Sequence, residues 1–71
     1  MVNLSEIEVG QQVEIIDFEN TSIKCYSARL GIEKGQVVTC IAKPGPVVIK
    51  KNNQEIAIGK GLSRQIYIKI I

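Results

Sequence analysis

Short stretches of alternating apolar and polar residues run through most of the chain, and Gly, Pro and Asn interrupt them at intervals of roughly 8 to 12 residues. Isoleucine and valine dominate the apolar positions. This rhythm is typical of a small all-β barrel or sandwich. The pattern predicts five strands, at Gln11–Phe18, Gln36–Lys43, Val47–Lys50, Glu55–Ile58 and Ile66–Ile71.

The breaks between these strands indicate how they pair. Pro44-Gly45-Pro46 ends the second strand, because proline cannot donate a hydrogen bond to a sheet ladder. Asn52-Asn53 suits a tight hairpin turn, so the second, third and fourth strands should form an antiparallel meander. Pairing of the last strand with the first would close a barrel without exposed edges. The alternation slips at Ile15-Ile16, which predicts a β-bulge or a strand covered on both faces.

One segment has a clear helical pattern. Ile23, Tyr26 and Leu30 recur at i, i+3 and i+7, after a Thr21-Ser22 pair in which either residue could cap the helix. Gly31 follows, a residue type that adopts positive φ beyond a helix C-terminus. We therefore predict one short helix between the first and second strands.

Two shorter helical turns complete the expected secondary structure. Asn3 precedes Glu6 by three residues, the spacing of a capping box, and Leu4 and Ile7 should then face inward. Residues Leu62–Gln65 suit one further turn of helix.

A local sequence repeat indicates repeated turn geometry. Ile7–Val13 and Ile32–Val38 share the pattern I-E-x-G-Q-x-V, and each segment leads into a predicted strand. We interpret its glycines, Gly10 and Gly35, as the source of positive φ in two tight turns. Because the pattern does not recur a third time, it predicts no solenoid. Gly45, between the two prolines, is the remaining glycine that we assign to a turn.

Length and composition narrow the functional class. The 71 residues allow one domain, spanning residues 1–71. A chain of this size buries only about 60% of its unfolded surface, so a deep active-site cleft is not expected. The absence of histidine removes the usual general base and the Ser-His type of nucleophilic triad. The carboxylates fall mostly at turns and strand ends, where solvated charges are expected. We therefore predict a protein that is not an enzyme and carries no cofactor.

The chain shows no signal for export or membrane insertion. No apolar run approaches the ~20 residues needed to cross a bilayer. Residues Met1–Glu6 lack the basic start and the long apolar stretch of a secretory signal. A cytoplasmic protein is the resulting expectation.

The two cysteines could in principle bind a metal. Cys25 and Cys40 are isolated in sequence, and without histidine they could supply at best a mixed thiolate and carboxylate site. We interpret both as reduced thiols that act as small buried hydrophobes, and predict no metal site. A transition-metal-binding regulatory domain stays open as an alternative.

Basic residues are more frequent in the second half of the chain, at Lys43, Lys50, Lys51, Lys60 and Arg64. We interpret them as solvated charges on hairpins. A net charge of +2 and the lack of interleaved aromatic residues argue against nucleic-acid binding. A generic barrel that binds nucleic acid or peptide is the second alternative, since fold alone does not determine function.

The chain as a whole resembles the ferrous iron transport protein A (FeoA) family. The resemblance is carried by Leu4-x-x-Ile7-x-x-Gly10, by the helix exit Arg29-Leu30-Gly31-Ile32-x-x-Gly35, and by the terminal Ile56-Ala57-Ile58 and Ile66-Tyr67-Ile68 segments. It implies a small Src-homology-3-like barrel. It also implies a cytoplasmic accessory protein that binds FeoB, the ferrous iron transporter, through the transporter's cytosolic GTPase domain or its membrane part.

On this basis, the helix and its exit form the candidate partner-binding surface, with Ile23, Tyr26, Arg29 and Leu30 as the candidate contacts. Tyrosine and arginine are residue types that often anchor interfaces. Ile23 and Leu30 are better explained as core residues, because a stripe at i and i+7 usually faces the protein interior. Tyr26 and Arg29 could serve either purpose.

Overall fold

Strands dominate the computed structural model, which describes all 71 residues. Six strands form one sheet in which all neighbours are antiparallel, in the order β1-β6-β2-β3-β4-β5. Their bounds are Val2–Asn3 (β1), Gln12–Phe18 (β2), Val37–Ala42 (β3), Val47–Lys51 (β4), Gln54–Ile58 (β5) and Ile66–Ile70 (β6). The helices are α1 at Thr21–Arg29 and α2 at Lys60–Ser63, with a 3-10 turn at Leu4–Glu6. The prediction of a mainly β fold is confirmed.

The sheet has one more strand than expected, and it does not close. β6 pairs with β2, as predicted, but β1 adds to the other edge of β6 through Val2 opposite Ile68 and Asn3 opposite Tyr67. β1 and β5 are the two ends of the sheet, so the predicted closed five-stranded barrel is wrong. A strand of two residues is too short to show an alternation in the sequence. Because of this added strand, α1 lies between the second and third strands.

The predicted meander of β3, β4 and β5 is confirmed, with Asn52 at positive φ in the hairpin turn. The expected irregularity in β2 is also present, as a register shift against β6 between Ile15 and Asp17. A second shift in β3, between Cys40 and Ala42, was not predicted. Each shift interrupts the regular pairing of the two strands, as a β-bulge does.

One hydrophobic core lies on the inner face of the sheet. Its 14 buried members come from all the major strands and from the segments just before β2 and β3. They are Leu4, Ile7, Val13, Ile15, Phe18, Ile32, Val38, Cys40, Val47, Ile49, Ile56, Ile58, Ile66 and Ile68. Leu4 and Ile7 face inward, as expected. The predicted capping box between Asn3 and Glu6 is complete.

The shared I-E-x-G-Q pattern folds into two equivalent turns. In the first, Gln11 N–H donates to the Glu8 carbonyl (3.0 Å), and the Gln11 side-chain oxygen accepts from Glu8 N–H (2.8 Å). In the second, Gln36 and Glu33 form the same two bonds at 3.3 and 3.0 Å. We call these the first turn, residues 8–11, and the second turn, residues 33–36.

The glycine of each turn has positive φ, +94° at Gly10 and +91° at Gly35. Each glycine N–H also donates to the strand that follows the other turn, from Gly10 to the Cys40 carbonyl at 2.7 Å and from Gly35 to the Ile15 carbonyl at 2.8 Å. Gly45, in contrast, does not have positive φ, so its turn does not require glycine for that reason.

Two other local expectations need correction. The last helical turn is α2, Lys60–Ser63, two residues before the predicted Leu62–Gln65, because its first helical bond runs from Ser63 N–H to the Gly59 carbonyl. Lys43 and Lys51 are not simply solvated charges, since both ammonium groups donate to backbone carbonyls. No helix in the structure has the length and apolar character needed to span a membrane.

We expect Gly10→Ala and Gly35→Ala each to lower the free energy of unfolding by about 1 to 2 kcal/mol, because an L-residue is strained at positive φ. A Cβ at either position would have no atom within 4 Å, so steric clash would not contribute. The free energy can be measured by urea denaturation.

Gly61→Ala is the matched control, since Gly61 lies in α2 with open space around its Cβ and without positive φ. It should not destabilise the protein, because alanine favours a helix more than glycine. Equal losses in all three variants would contradict the assignment of strain to the two turns.

Candidate functional site

Side-chain and main-chain caps fix both ends of α1. At its start, the Asn20 side-chain oxygen accepts the Ile23 N–H at 3.0 Å. The N-cap is therefore Asn20, and the expected cap at Thr21 or Ser22 is wrong. Asn20 has the extended backbone of an N-cap, whereas Thr21 and Ser22 are already helical.

At the end of α1 the chain forms a Schellman motif. Gly31 N–H donates to the Ala28 carbonyl (3.0 Å) and Ile32 N–H donates to the Ser27 carbonyl (2.9 Å), with Gly31 at φ +88°. Ile32 is fully buried and supplies the apolar contact that commonly accompanies this motif. The Lys51 ammonium also donates to the Gly31 carbonyl at 2.5 Å and places a positive charge at the negative end of the helix. The helix exit is thus held by the β4–β5 hairpin.

The inner side of α1 packs on the core through Ile23 and Leu30, which are half-buried, and Ser27, which is fully buried. Their spacing is i, i+4 and i+7. The sequence pattern assigned Tyr26 to this stripe, but Tyr26 is 51% exposed. Ser27 is small enough to lie against the sheet. Because serine is polar, a pattern of apolar residues does not include it. The Ser27 hydroxyl has no hydrogen-bond partner.

Next to this inner side, α1 presents a continuous exposed surface made of Ser22, Cys25, Tyr26 and Arg29, which we call the outer face. These residues follow the spacing i, i+3, i+4 and i+7. With Thr21 and Ile23 they line a shallow groove of about 520 Å³.

Of the four candidate contacts, Tyr26 and Arg29 therefore lie together in the groove, and Ile23 forms part of its wall. Leu30 does not line the groove and packs only against the core. The sequence interpretation missed Ser22 and Cys25, although the helical spacing from Tyr26 and Arg29 could have identified them.

The outer face carries one positive charge and no negative charge. Arg29 is the only charged residue that lines the groove. Beside it, the exposed edge of the Tyr26 ring offers an apolar surface and a hydroxyl. This combination suits a partner that has an apolar side chain close to a carboxylate.

The structure does not bring the two cysteines together. Cys25 lies exposed on the outer face and Cys40 is buried in β3. The expectation that both are buried is thus wrong for Cys25. No group of three or more His, Cys, Asp or Glu side chains is placed to hold a metal ion.

A hydrogen bond from Tyr67 to Glu19 fixes the segment that leads into α1. The Tyr67 hydroxyl on β6 donates to the Glu19 carboxylate, and Glu19 N–H donates to the Gln65 carbonyl at 2.9 Å. The hydrogen bond to Glu19 raises the pKa of Tyr67, with smaller contributions from desolvation and from the negative charges of Glu19 and Asp17. The start of the helix is thereby tied to β6 and to the residue just before it.

The comparisons with known proteins agree with this architecture of a small, mainly β, Src-homology-3-like domain. A family model for the FeoA domain matches residues 2–70. The chain belongs to the FeoA family, which is associated with ferrous iron uptake. No curated protein sequence matches it significantly.

Several solved structures share the fold. The crystal structure of an iron uptake regulatory protein (FeoA) matches with a TM-score of 0.89 at 22% identity, over 99% of this chain and 96% of that one. An FeoA-like protein from Clostridium acetobutylicum matches with a TM-score of 0.88 at 16% identity, over 99% and 86%. ScaR with bound Zn²⁺ matches with a TM-score of 0.87 at 19% identity, but the match covers 37% of the ScaR chain.

Replacement of Ser27 by alanine should raise the free energy of unfolding by about 1 kcal/mol, because it removes a buried hydroxyl that has no partner. Ser63→Ala is the control, since the Ser63 hydroxyl is equally buried but donates to the Lys60 carbonyl at 3.0 Å. Urea denaturation measures both. A Ser27→Ala protein that is less stable than the parent would show that the hydroxyl is satisfied.

In a Tyr26→Phe protein, Tyr67 is the only tyrosine, and ultraviolet absorbance of the phenolate then reports its titration alone. We expect its pKa to lie above 10.0, because the neutral phenol donates a hydrogen bond to the Glu19 carboxylate. The Tyr67 phenol loses its proton at a lower pH in the unfolded chain than in the folded protein. The hydrogen bond to Glu19 therefore stabilises the folded state fully below pH 10, and this stabilisation is lost as the pH rises through the higher pKa of the folded state. Glu19→Gln should bring the midpoint back towards 10.0. A midpoint that Glu19→Gln leaves unchanged would contradict the assigned cause.

Proposed function

We propose that this FeoA domain is a cytoplasmic accessory protein of ferrous iron uptake, which binds the cytosolic part of a FeoB-type transporter through the outer face of α1. The proposal is supported by family membership and by one observation above all. Tyr26 and Arg29 lie next to each other, exposed, on a helix whose two ends are fixed by caps.

Rigidity is the physical reason why this helix suits recognition. Because the backbone of α1 is already ordered, less conformational entropy is lost when a partner binds it. Tyr26 and Arg29 then contribute the apolar contact and the charge-assisted hydrogen bond that typically dominate an interface. In this proposal the domain acts by binding and catalyses no reaction itself.

The test is a titration of isotope-labelled protein with the cytosolic GTPase region of the cognate transporter, in its GDP and GTP-analogue states. Amide shifts should change in Ser22–Gly35 and stay small in β4 and β5. Tyr26→Ala and Arg29→Ala should each weaken binding by about tenfold or more, as expected for truncated anchor residues.

Lys50→Ala is the control, since Lys50 is an exposed cation on β4 whose loss changes the net charge by the same amount as Arg29→Ala. It should leave the affinity within a factor of about two. Shifts centred on β4 and β5, or an equal loss of affinity in Lys50→Ala, would contradict the proposed surface. No shifts in either nucleotide state would contradict the cytosolic GTPase region as the partner.

A further inference from the structure

A second concave surface lies away from the outer face of α1, where the chain between β3 and β4 approaches α2 and the 3-10 turn. This cleft has a volume of about 360 Å³. Its lining residues are Ser5, Lys43, Pro44, Gly45, Val47, Lys60 and Arg64. Three of the seven are cations and none is a carboxylate, in a chain whose net charge is only +2. Positive charge is therefore concentrated at this cleft.

The Lys43 ammonium is held in place before any ligand arrives. It donates to the Ile7 carbonyl at 2.7 Å and to the Ser5 carbonyl at 3.2 Å. These acceptors are uncharged, so they orient the ammonium group without cancelling its charge. An ammonium group has three donors, and these two carbonyls use only two of them. Ligand binding here would lose little side-chain entropy at Lys43.

Lys60 and Arg64 approach the same cleft from α2 and its C-terminal cap. They are four residues apart, on the same side of the helix, where two like charges repel each other. Both side chains are exposed, and neither forms a side-chain hydrogen bond within the protein. An anion between them would relieve this repulsion, and the planar guanidinium of Arg64 could bind two of its oxygens at once.

We propose that this cleft binds a phosphate group of a small soluble anion. The cleft is lined by three positive charges and no negative charge. A ligand with a single carboxylate would neutralise only one of them. A phosphate group carries more charge and offers several acceptor oxygens to donors on different elements. The inference does not depend on the outer face of α1, and it can fail or hold separately from the proposed function.

The test is a titration of the isotope-labelled full chain with pyrophosphate at constant ionic strength, set with sodium chloride. We expect saturable amide shifts confined to residues 5–7, 43–47 and 59–64. Arg64→Gln and Lys60→Gln should each weaken binding by about tenfold, because each removes a charge-assisted hydrogen bond. Lys43 is left unchanged, since its replacement would also release the Ser5 and Ile7 carbonyls.

Lys24→Gln is the matched control, because it removes one exposed helix cation from α1 and changes the net charge equally. It should weaken binding by less than twofold. The proposal would be overturned by shifts that do not saturate, or by equal effects of Lys24→Gln and Arg64→Gln. Either result would indicate non-specific electrostatic attraction of pyrophosphate to the protein. Tighter binding of a single-stranded RNA oligonucleotide, with shifts extending beyond the cleft, would also overturn it and assign the charge to nucleic acid.

Discussion

Four main-chain hydrogen bonds between the two equivalent turns and the strands β2 and β3 determine how the sheet is assembled. Gly10 and Gln11 of the first turn pair with both backbone groups of Cys40, and Gly35 and Gln36 of the second turn do the same with Ile15. Each turn thus binds the strand that the other turn begins. The two contacts lie at opposite ends of the β2–β3 pair and fix its register. A slip by one residue would turn the buried side chains of one strand away from the face that the other strand buries.

The position of α1 follows from this arrangement. The helix connects β2 to the second turn, which leads into β3. Both of its ends are therefore attached to the β2–β3 pair. Asn20 and the Glu19–Tyr67 bond hold its start, while Gly31 and the Lys51 ammonium hold its exit. Ile23, Ser27 and Leu30 occupy the space between the helix and the sheet, and the outer face stays exposed. The outer face is therefore a consequence of how the sheet is built.

Several local interactions were predictable from the sequence, although the N-cap of α1 and the bounds of α2 were not. The capping box at Asn3, the glycine exit at Gly31 and the two repeated turns each depend on a few neighbouring residues of specific chemistry. Features that depend on distant contacts were harder to predict. The strand β1 forms because β6 has a free edge with which it can pair. Tyr26 is exposed because the small Ser27, and not Tyr26, packs against the sheet. The basic cleft likewise needs three segments to converge.

Cys25 makes it possible to test, in the unaltered chain, whether the outer face of α1 is the contact surface. It is the exposed cysteine of the pair and lies on the outer face, whereas Cys40 is buried, so an alkylating reagent should modify Cys25 selectively. The measurement is the rate of Cys25 alkylation in the free protein and at saturation with the cytosolic part of the transporter. We expect a marked slowing of the alkylation in the complex. An unchanged rate at demonstrated saturation would show that the partner binds elsewhere.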